Sequence, residues 1–192
     1  HTPKDKKIWL FSATMPNEVH RIAKKFMETP IEIEVGARNT GTKMVEHHYY
    51  LINARERYQT LQILLNLYPN IFGCIFCRTK IETQRVAERL QEDGYKAAAL
   101  HGDLSQNQRD AVMQSFRKNK IQLLVATDVA ARGIDVEDIS HVINYQLPDE
   151  IELYIHRSGR TGRAGKKGVS IILLPKSNLQ KIKLIENKMQ LL

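Results

Sequence analysis

Arginines recur among glycines in one short segment, YIHRSGRTGRAG, of this 192-residue chain. Arg157, Arg160 and Arg163 stand three residues apart, and His156 directly precedes the first of them. A guanidinium group offers phosphate oxygens a planar fork of N–H donors and keeps its charge at any physiological pH, while glycine lets the backbone approach a ligand closely. The pattern therefore indicates charge stabilisation of a phosphoryl group during its transfer. A solvated basic turn is the alternative interpretation.

A second polar segment, ATDVAARGIDV, directly follows a predicted apolar strand over residues 121–126. The Thr127 hydroxyl and neighbouring backbone N–H groups could hold a phosphate, and a carboxylate there could accept a hydrogen bond from a ribose hydroxyl. Aspartate is more commonly a helix cap. This segment alone therefore leaves both interpretations of Asp128 and Asp135 open.

Three shorter segments place polar residues at the ends of other predicted elements. Each is a weak indication by itself, since HGD can be an ordinary turn, and Thr79 or Ser12 can be an ordinary helix N-cap. The segments are HGD, with Gly102 and Asp103 followed by Gln106 and Arg109; FCRT, with Arg78 and Thr79; and SAT, with Ser12 and Thr14.

Apolar strands and amphipathic helices alternate along most of the chain, which is typical of an α/β fold with a mostly parallel sheet and helices on both faces. In such sheets ligands bind beyond the C-terminal ends of the strands, so the chemistry is expected in the loops that follow them. Strands are predicted at residues 8–11, 31–35, 45–52, 71–76, 97–100, 121–126, 141–145 and 168–174, and helices at residues 17–27, 55–67, 81–93, 105–118, from 150, and 178–192.

The composition is that of a folded globular protein, with 42% hydrophobic and 26% charged residues. A net charge of +8 suits a polyanionic partner such as nucleic acid, although it can also serve solubility alone. No apolar run approaches the ~18 residues that cross a bilayer, and the charged start HTPKDKK does not resemble a signal peptide. We therefore expect a cytoplasmic location and no membrane association.

The two cysteines, Cys74 and Cys77, have the spacing of a redox pair or of half a zinc site. Their flanks read instead as a buried strand, on which residues three apart point to opposite faces. The adjacent His47 and His48 also face opposite ways on a strand. We expect all four residues to be structural and predict no metal site.

In their order along the chain, the five segments resemble the motifs of the DEAD-box family of superfamily 2 RNA helicases, and the resemblance covers essentially the whole chain. SATMP is similar to the motif that closes the family's first domain, and GCIFCRT to the motif that opens the second. His156 favours the DEAD-box branch, because DEAH-type and RecQ-like helicases carry glutamine there. Ser158 stands where many members have isoleucine, which affects only local packing.

The resemblance implies a domain organisation. Residues 44–192 would form the second, RecA-like domain, and residues 1–35 would be the C-terminal remnant of the first, ATP-binding domain. The polar residues 36–43 would be the linker. The chain has neither a GxxxxGK[ST] phosphate loop nor a DEAD tetrapeptide for Mg²⁺, so both are expected in a first domain preceding His1 and the chain alone is expected to be inactive. Residues 8–27 would then be disordered, packed on the second domain, or paired with another copy.

Roles for single residues are implied by the resemblance alone. Arg160 and Arg163 would be arginine fingers on the γ-phosphate of ATP, His156 would link the RNA and ATP sites, and Arg157 would support that loop. Asp135 would bind the ribose of that nucleotide, and Gly133 would also belong to the ATP-binding site. Ser12 and Thr14 would couple hydrolysis to strand separation. The RNA path would be lined or braced by Arg78, Thr79, Gly102, Asp103, Gln106, Arg109, Thr127 and Asp128.

Two other functions fit parts of the pattern. A non-catalytic RNA-binding module could keep the fold without turnover, but the three arginines and Asp135 would then have no use. A DNA-directed translocase is disfavoured by His156. RNA contacts mainly to phosphate and sugar would make binding largely independent of base sequence and sensitive to salt.

Overall fold

The computed structural model describes residues 6–11, 17–27, 29–33, 44–132, 136, 139–163 and 165–189. The predicted linker and four predicted site residues fall outside the described part of the chain; these residues are Ser12, Thr14, Gly133 and Asp135.

Six parallel strands form one sheet in the order β1-β6-β5-β2-β4-β3. This confirms the predicted α/β class with a parallel sheet. No helix in the described part of the chain is long and apolar enough to span a membrane. The elements are α1 (Asn17–Phe26), β1 (Val45–Ile52), α2 (Arg57–Leu67), β2 (Gly73–Phe76), α3 (Lys80–Glu92), β3 (Ala97–Leu100), α4 (Gln106–Arg117), β4 (Leu123–Ala126), β5 (His141–Asn144), α5 (Ile151–Ser158), β6 (Gly168–Pro175) and α6 (Gln180–Met189), with short 3₁₀ turns at Ala54–Glu56 and Lys176–Asn178.

The core lies on both faces of the sheet because successive strand residues alternate between them. Ile75 and Leu123 pack with α2 and α3 on one face. Phe76 and Leu124 belong to a cluster with Phe116 of α4 on the other, where α5 and α6 cover the β6 end of the sheet. The predicted helices on both faces are therefore confirmed.

The N-terminal segment departs from the prediction. Residues 8–11 and 31–33 are not strands, so those two predictions are wrong for the described residues, whereas the helix α1 is confirmed. A strand exists only where a neighbour pairs with its backbone groups, and no described segment pairs with these. Trp9 and Phe11 are 74% and 88% exposed, and their nearly parallel rings lie 6.5 Å apart. Self-association through residues 8–27 stays a prediction.

Candidate functional site

The loops after β2, β3 and β4 meet at one edge of the sheet, because the carboxyl ends of parallel strands share an edge. The structure thereby brings most of the predicted RNA-path residues together. Arg78 and Thr79 follow β2, Gly102 and Asp103 follow β3, and Thr127 and Asp128 follow β4. We call the edge of the sheet where these three loops meet the carboxyl edge.

Three ion pairs among the described residues fix cations at the carboxyl edge. The Arg78 guanidinium pairs with Asp149, and Lys181 of α6 lies 3.4 Å from the same carboxylate. Lys80 Nζ donates to Asp103 Oδ1 at 2.8 Å. Lys181 is 39% exposed and the other side chains are about half exposed or more, so each pair contributes little stability but determines where the charges lie.

Local hydrogen bonds hold the loop that follows β2. The Thr79 hydroxyl accepts from the Glu82 backbone N–H at 3.2 Å and is the N-cap of α3, as its ordinary interpretation suggested. The Arg78 backbone N–H donates to Gln146 Oε1 at 3.0 Å, which joins this loop to the segment after β5. The loop is therefore anchored at both of its polar residues.

The turn after β3 is organised by hydrogen bonds to His101. The Asp103 backbone N–H donates to His101 Nδ1 at 3.3 Å. Since Nδ1 is an acceptor, Nε2 carries the proton and donates to Gln84 Oε1 at 2.9 Å. A side chain at Gly102 would meet nothing within 4 Å, so this turn leaves open space at the carboxyl edge.

Helix α4 is tied to the turn after β4. Ser105 is the N-cap of α4 and forms a capping box with Gln108. Arg109 donates to the Ala130 carbonyl at 3.3 Å, and the Gln106 amide donates to Asp110. The Thr127 hydroxyl accepts from the Ala130 N–H at 3.4 Å, so Arg109 and Thr127 steady the same turn.

Arg157 lies inside the protein, with only 2% of its surface exposed. Its guanidinium donates to both carboxylate oxygens of Asp128 at 2.6 and 2.7 Å, to the Asn144 side chain at 3.0 Å and to the Gln146 carbonyl at 2.7 Å. It also lies 5.0 Å from the Phe76 ring centroid. The carboxylate of Asp128, a predicted RNA-path residue, is thus paired with the buried Arg157 guanidinium; the supporting role of Arg157 stays a prediction.

Arg160 and Arg163 lie at the opposite edge of the sheet. Helix α5 starts at the carboxyl edge and ends at Ser158, and the arginine loop then leads into the first residue of β6. Unlike the loops of the carboxyl edge, this loop follows a helix rather than a strand. Arg160 Nε donates to the His156 carbonyl at 3.3 Å, and Arg163 Nε donates to the Gly159 carbonyl at 2.9 Å.

The buried Thr161 pins this loop to the start of β5. Its hydroxyl bonds to the carbonyls of Ile139 and Ser140. Gly168 packs directly beneath, since a Cβ there would lie 2.5 Å from the Gly162 nitrogen and would overlap the Thr161 side chain. The loop position is therefore set by packing as well as by hydrogen bonds.

A cavity of about 270 Å³ opens beside the arginines. We call it the arginine cavity. The described residues that line it include four cationic side chains; the lining comprises Ile139, Ser140, Arg160, Gly162, Arg163, Lys166 and Lys167.

His156 is half-buried on α5 between the two edges. Burial lowers the pKa of its imidazole below the ordinary value, and the nearby positive charges of Arg160 and Arg132 lower it further. The side chain is therefore neutral at pH 7, with one donor and one acceptor nitrogen.

The cysteines and the paired histidines lie as expected from their strand positions. Cys74 packs on the α4 face and Cys77 on the α2–α3 face, and both thiols are free. His47 is part-buried against Tyr154, while His48 is exposed beside Glu46. The described residues contain no group of three or more potential metal ligands.

Several residues that organise the site were missed in the sequence. The rule that polar residues after strands carry function could have identified Asn144 and Gln146, which lie at and beyond the end of β5. No local signal identifies Gln84, Lys80 or Asp149, because each acts through a partner distant in sequence.

The protein-family model described as the helicase conserved C-terminal domain matches residues 56–165. The chain is 46% identical over 190 residues to a probable ATP-dependent RNA helicase of Methanocaldococcus jannaschii, covering 98% of this chain and 50% of that protein. It is 44% identical over 174 residues to the DEAD-box ATP-dependent RNA helicase RhpA of Helicobacter pylori, covering 91% of this chain and 35% of that protein.

A solved structure of S. cerevisiae Dbp5 bound to RNA and ADP BeF3 matches with a TM-score of 0.88 at 32% identity, over 97% of this chain and 50% of that chain. The chain thus spans half or less of the length of these relatives. The match to the helicase C-terminal domain model covers more than half of this chain. The parallel sheet of this chain is consistent with the structural similarity. The chain therefore belongs to the DEAD-box RNA helicase family, of which it carries the RecA-like C-terminal helicase domain.

Proposed function

We propose that this chain is the C-terminal half of an ATP-dependent RNA helicase that couples ATP binding and hydrolysis to RNA unwinding or remodelling. The observation that carries the proposal is the separation of two surfaces by one short helix. The polar loops of the carboxyl edge lie at the start of α5, and the arginine loop lies at its end. Residues 1–35 would belong to the first domain, with residues 36–43 as the linker.

The carboxyl edge suits the backbone of an RNA strand. Arg78 and Lys80 carry positive charge there, and the first turns of α3 and α4 contribute the positive ends of helix dipoles. Such contacts to phosphate position a strand without reading its bases. Binding at this edge is therefore expected to be independent of sequence and to weaken with salt.

The arginine loop suits a transferring phosphoryl group. Arg160 and Arg163 are anchored through Nε to backbone carbonyls, which orients each guanidinium before any ligand arrives. Fixed positive charge of this kind stabilises a phosphoryl transition state. The nucleotide would be held chiefly by the first domain, with Asp135 at its ribose and Gly133 as a further ATP-binding residue.

The described residues do not fit a resident metal site, because they hold no cluster of three potential ligands. Magnesium would therefore be bound with the nucleotide by the first domain. The chain by itself is expected to hydrolyse no ATP, and His156 and Arg157 would serve communication between the two surfaces.

Phosphate release from ATP by the full-length protein, with and without RNA, tests the proposal. Removal of one arginine finger typically lowers turnover by ~10³-fold or more, so Arg160→Ala is expected to abolish the RNA-stimulated rate. Arg85→Ala, an exposed arginine on α3, is the matched control and is expected to keep that rate.

Each other outcome excludes part of the proposal. Phosphate release at a rate that does not depend on RNA would contradict an RNA helicase. A folded full-length protein that binds RNA but releases no phosphate would be a non-catalytic RNA-binding module. If Arg160→Ala and Arg85→Ala changed the RNA-stimulated rate equally, Arg160 would be excluded as an arginine finger.

A further inference from the structure

The arginine cavity contains more positive charge than two arginine fingers supply. Lys166 and Lys167 line the same space as Arg160 and Arg163. Four cationic side chains around one small cavity suit a ligand that carries several negative oxygens.

The two lysines are placed there by a constrained turn rather than by a mobile tail. The Lys166 N–H donates to the Arg163 carbonyl at 3.0 Å, and Gly165 adopts a φ of +77°, a conformation that other residues rarely take. Gly168 then enters the sheet, where its N–H donates to the Met44 carbonyl at 2.9 Å. Both ends of the lysine pair are therefore fixed to the fold.

We propose that Lys166 and Lys167 are further phosphate-binding residues of the nucleotide site and that the arginine cavity binds a polyphosphate together with the two arginines. This inference rests on the proposed function, since it adds ligands to the same site. An ammonium group binds phosphate as a point charge from a range of directions. The lysines are exposed, so their contribution is to hold the phosphates in ground state and transition state alike.

That role predicts a change in KM rather than in kcat. Uniform binding of ground state and transition state affects KM alone, whereas an interaction made only in the transition state affects kcat. For the full-length Lys166→Met/Lys167→Met protein, the KM for ATP is expected to rise by about tenfold, the scale of one charge-assisted hydrogen bond, with kcat within about twofold. Lys167→Arg in the Lys166→Met background should restore part of the loss, because it returns one charge.

Lys118→Met provides the matched control, because Lys118 is an exposed lysine at the end of α4 and does not line the cavity. Binding of inorganic tripolyphosphate by isothermal titration calorimetry is the second measurement, and it is expected to weaken in the double variant and not in the control. Circular dichroism of each variant establishes that it is folded.

The outcomes separate this inference from the proposed function. Normal RNA-stimulated hydrolysis with an unchanged KM and unchanged tripolyphosphate binding in the double variant would overturn the inference alone. Weakened RNA affinity at an unchanged KM would also overturn it, since the lysines would then serve RNA. If the wild-type protein hydrolyses no ATP but binds tripolyphosphate through these lysines, the proposed function fails and the anion site stands.

Discussion

Arg157 and Asp128 are 29 residues apart in sequence, yet the guanidinium of one donates to both carboxylate oxygens of the other inside the protein. This pair links α5 to the turn after β4. The Arg160 N–H donates in turn to the Arg157 carbonyl at 2.9 Å. A continuous chain of hydrogen-bonded residues therefore connects the carboxyl edge to the arginine loop.

Loss of the Asp128 carboxylate should destabilise the domain strongly. In Asp128→Ala the Arg157 charge stays buried with two neutral acceptors, Asn144 and Gln146. Breaking a buried ion pair by removing one partner costs about 3–5 kcal/mol, and we expect about 3 kcal/mol because Asp128 is partly exposed. Urea unfolding of the chain measures the loss.

Arg157→Met provides the double-mutant comparison. If the two residues act as a pair, the double variant should lose less free energy of unfolding than the sum of the single variants. A loss below about 1 kcal/mol for Asp128→Ala would show that the pair is not a structural link.

Gly168 is expected to be required for the position of the arginine loop. Alanine there would place its Cβ against the Thr161 side chain and 2.5 Å from the Gly162 nitrogen, and both groups are buried. Overpacking of this kind typically costs about 1–3 kcal/mol, and we expect the upper part of that range for Gly168→Ala.

Gly102→Ala is the matched control for stability, because nothing lies within 4 Å of a Cβ at that position. Its free energy of unfolding should change by no more than about 0.5 kcal/mol. Thermal or urea unfolding distinguishes the two variants, and equal losses would mean that the steric contact at Gly168 relaxes at little cost.

Much of the fold could be predicted from residue patterns. The bounds of β1 and β3 agree with the predicted residues 45–52 and 97–100. The strand predicted from residue 71 begins instead at Gly73. Ile71 is buried at 3% exposure without joining the ladder, because hydrophobicity reports burial and not backbone pairing.

The site was predictable only in part. The predicted parallel topology was enough to place the loops after β2, β3 and β4 at one edge of the sheet. The types of residue in these loops then indicated what chemistry they could perform. The equal spacing of Arg157, Arg160 and Arg163 concealed a difference, because the first lies on α5 facing the sheet and the other two follow the end of the helix. The pairing of Arg78 with Asp149 spans 71 residues and leaves no local pattern.

RNA binding by the full-length protein should depend on Arg78 through charge alone. Each phosphate of a single strand that the protein neutralises contributes about 0.7 to the steepness of log K against log salt. Loss of one such contact therefore makes the slope shallower by about 0.7. Arg78→Gln is therefore expected to weaken binding of poly(U) and poly(A) equally and to reduce that slope by about this amount. Arg117→Gln, at the exposed end of α4, should leave the slope unchanged, and fluorescence anisotropy over a salt series measures both.

The two cysteines should be unreactive in the folded protein. Burial raises the pKa of the Cys74 thiol to about 12 and raises the pKa of Cys77 as well. At pH 8 this lowers the thiolate fraction of Cys74 by roughly 10³-fold relative to an exposed thiol, and the thiolate is the reactive form. Mass spectrometry should show iodoacetamide labelling only in urea. Rapid labelling of either cysteine in buffer would contradict the packing of β2.

The chain should lose stability in acid through His47. Its Nδ1 lies 2.6 Å from the Tyr154 hydroxyl, and because the Ser170 hydroxyl donates to that same oxygen, the Tyr154 proton points to His47. Burial, with a smaller effect from His48, lowers the pKa of His47 from 6.5 to about 4. Between pH 6.5 and 4 the unfolded chain therefore binds a proton that the folded chain excludes.

The free energy of unfolding should consequently fall as pH drops through this window, by about 2 kcal/mol from His47 after allowance for partial solvent screening. The pKa of His141 is lowered by burial too and acts in the same direction. In His47→Gln the acid-dependent loss should become shallower, whereas His20→Gln, on α1 outside the sheet, should keep it. Urea unfolding at pH 4.5, 5.5 and 7 measures this difference, and parallel profiles for His47→Gln and the wild-type chain would exclude His47 as the source.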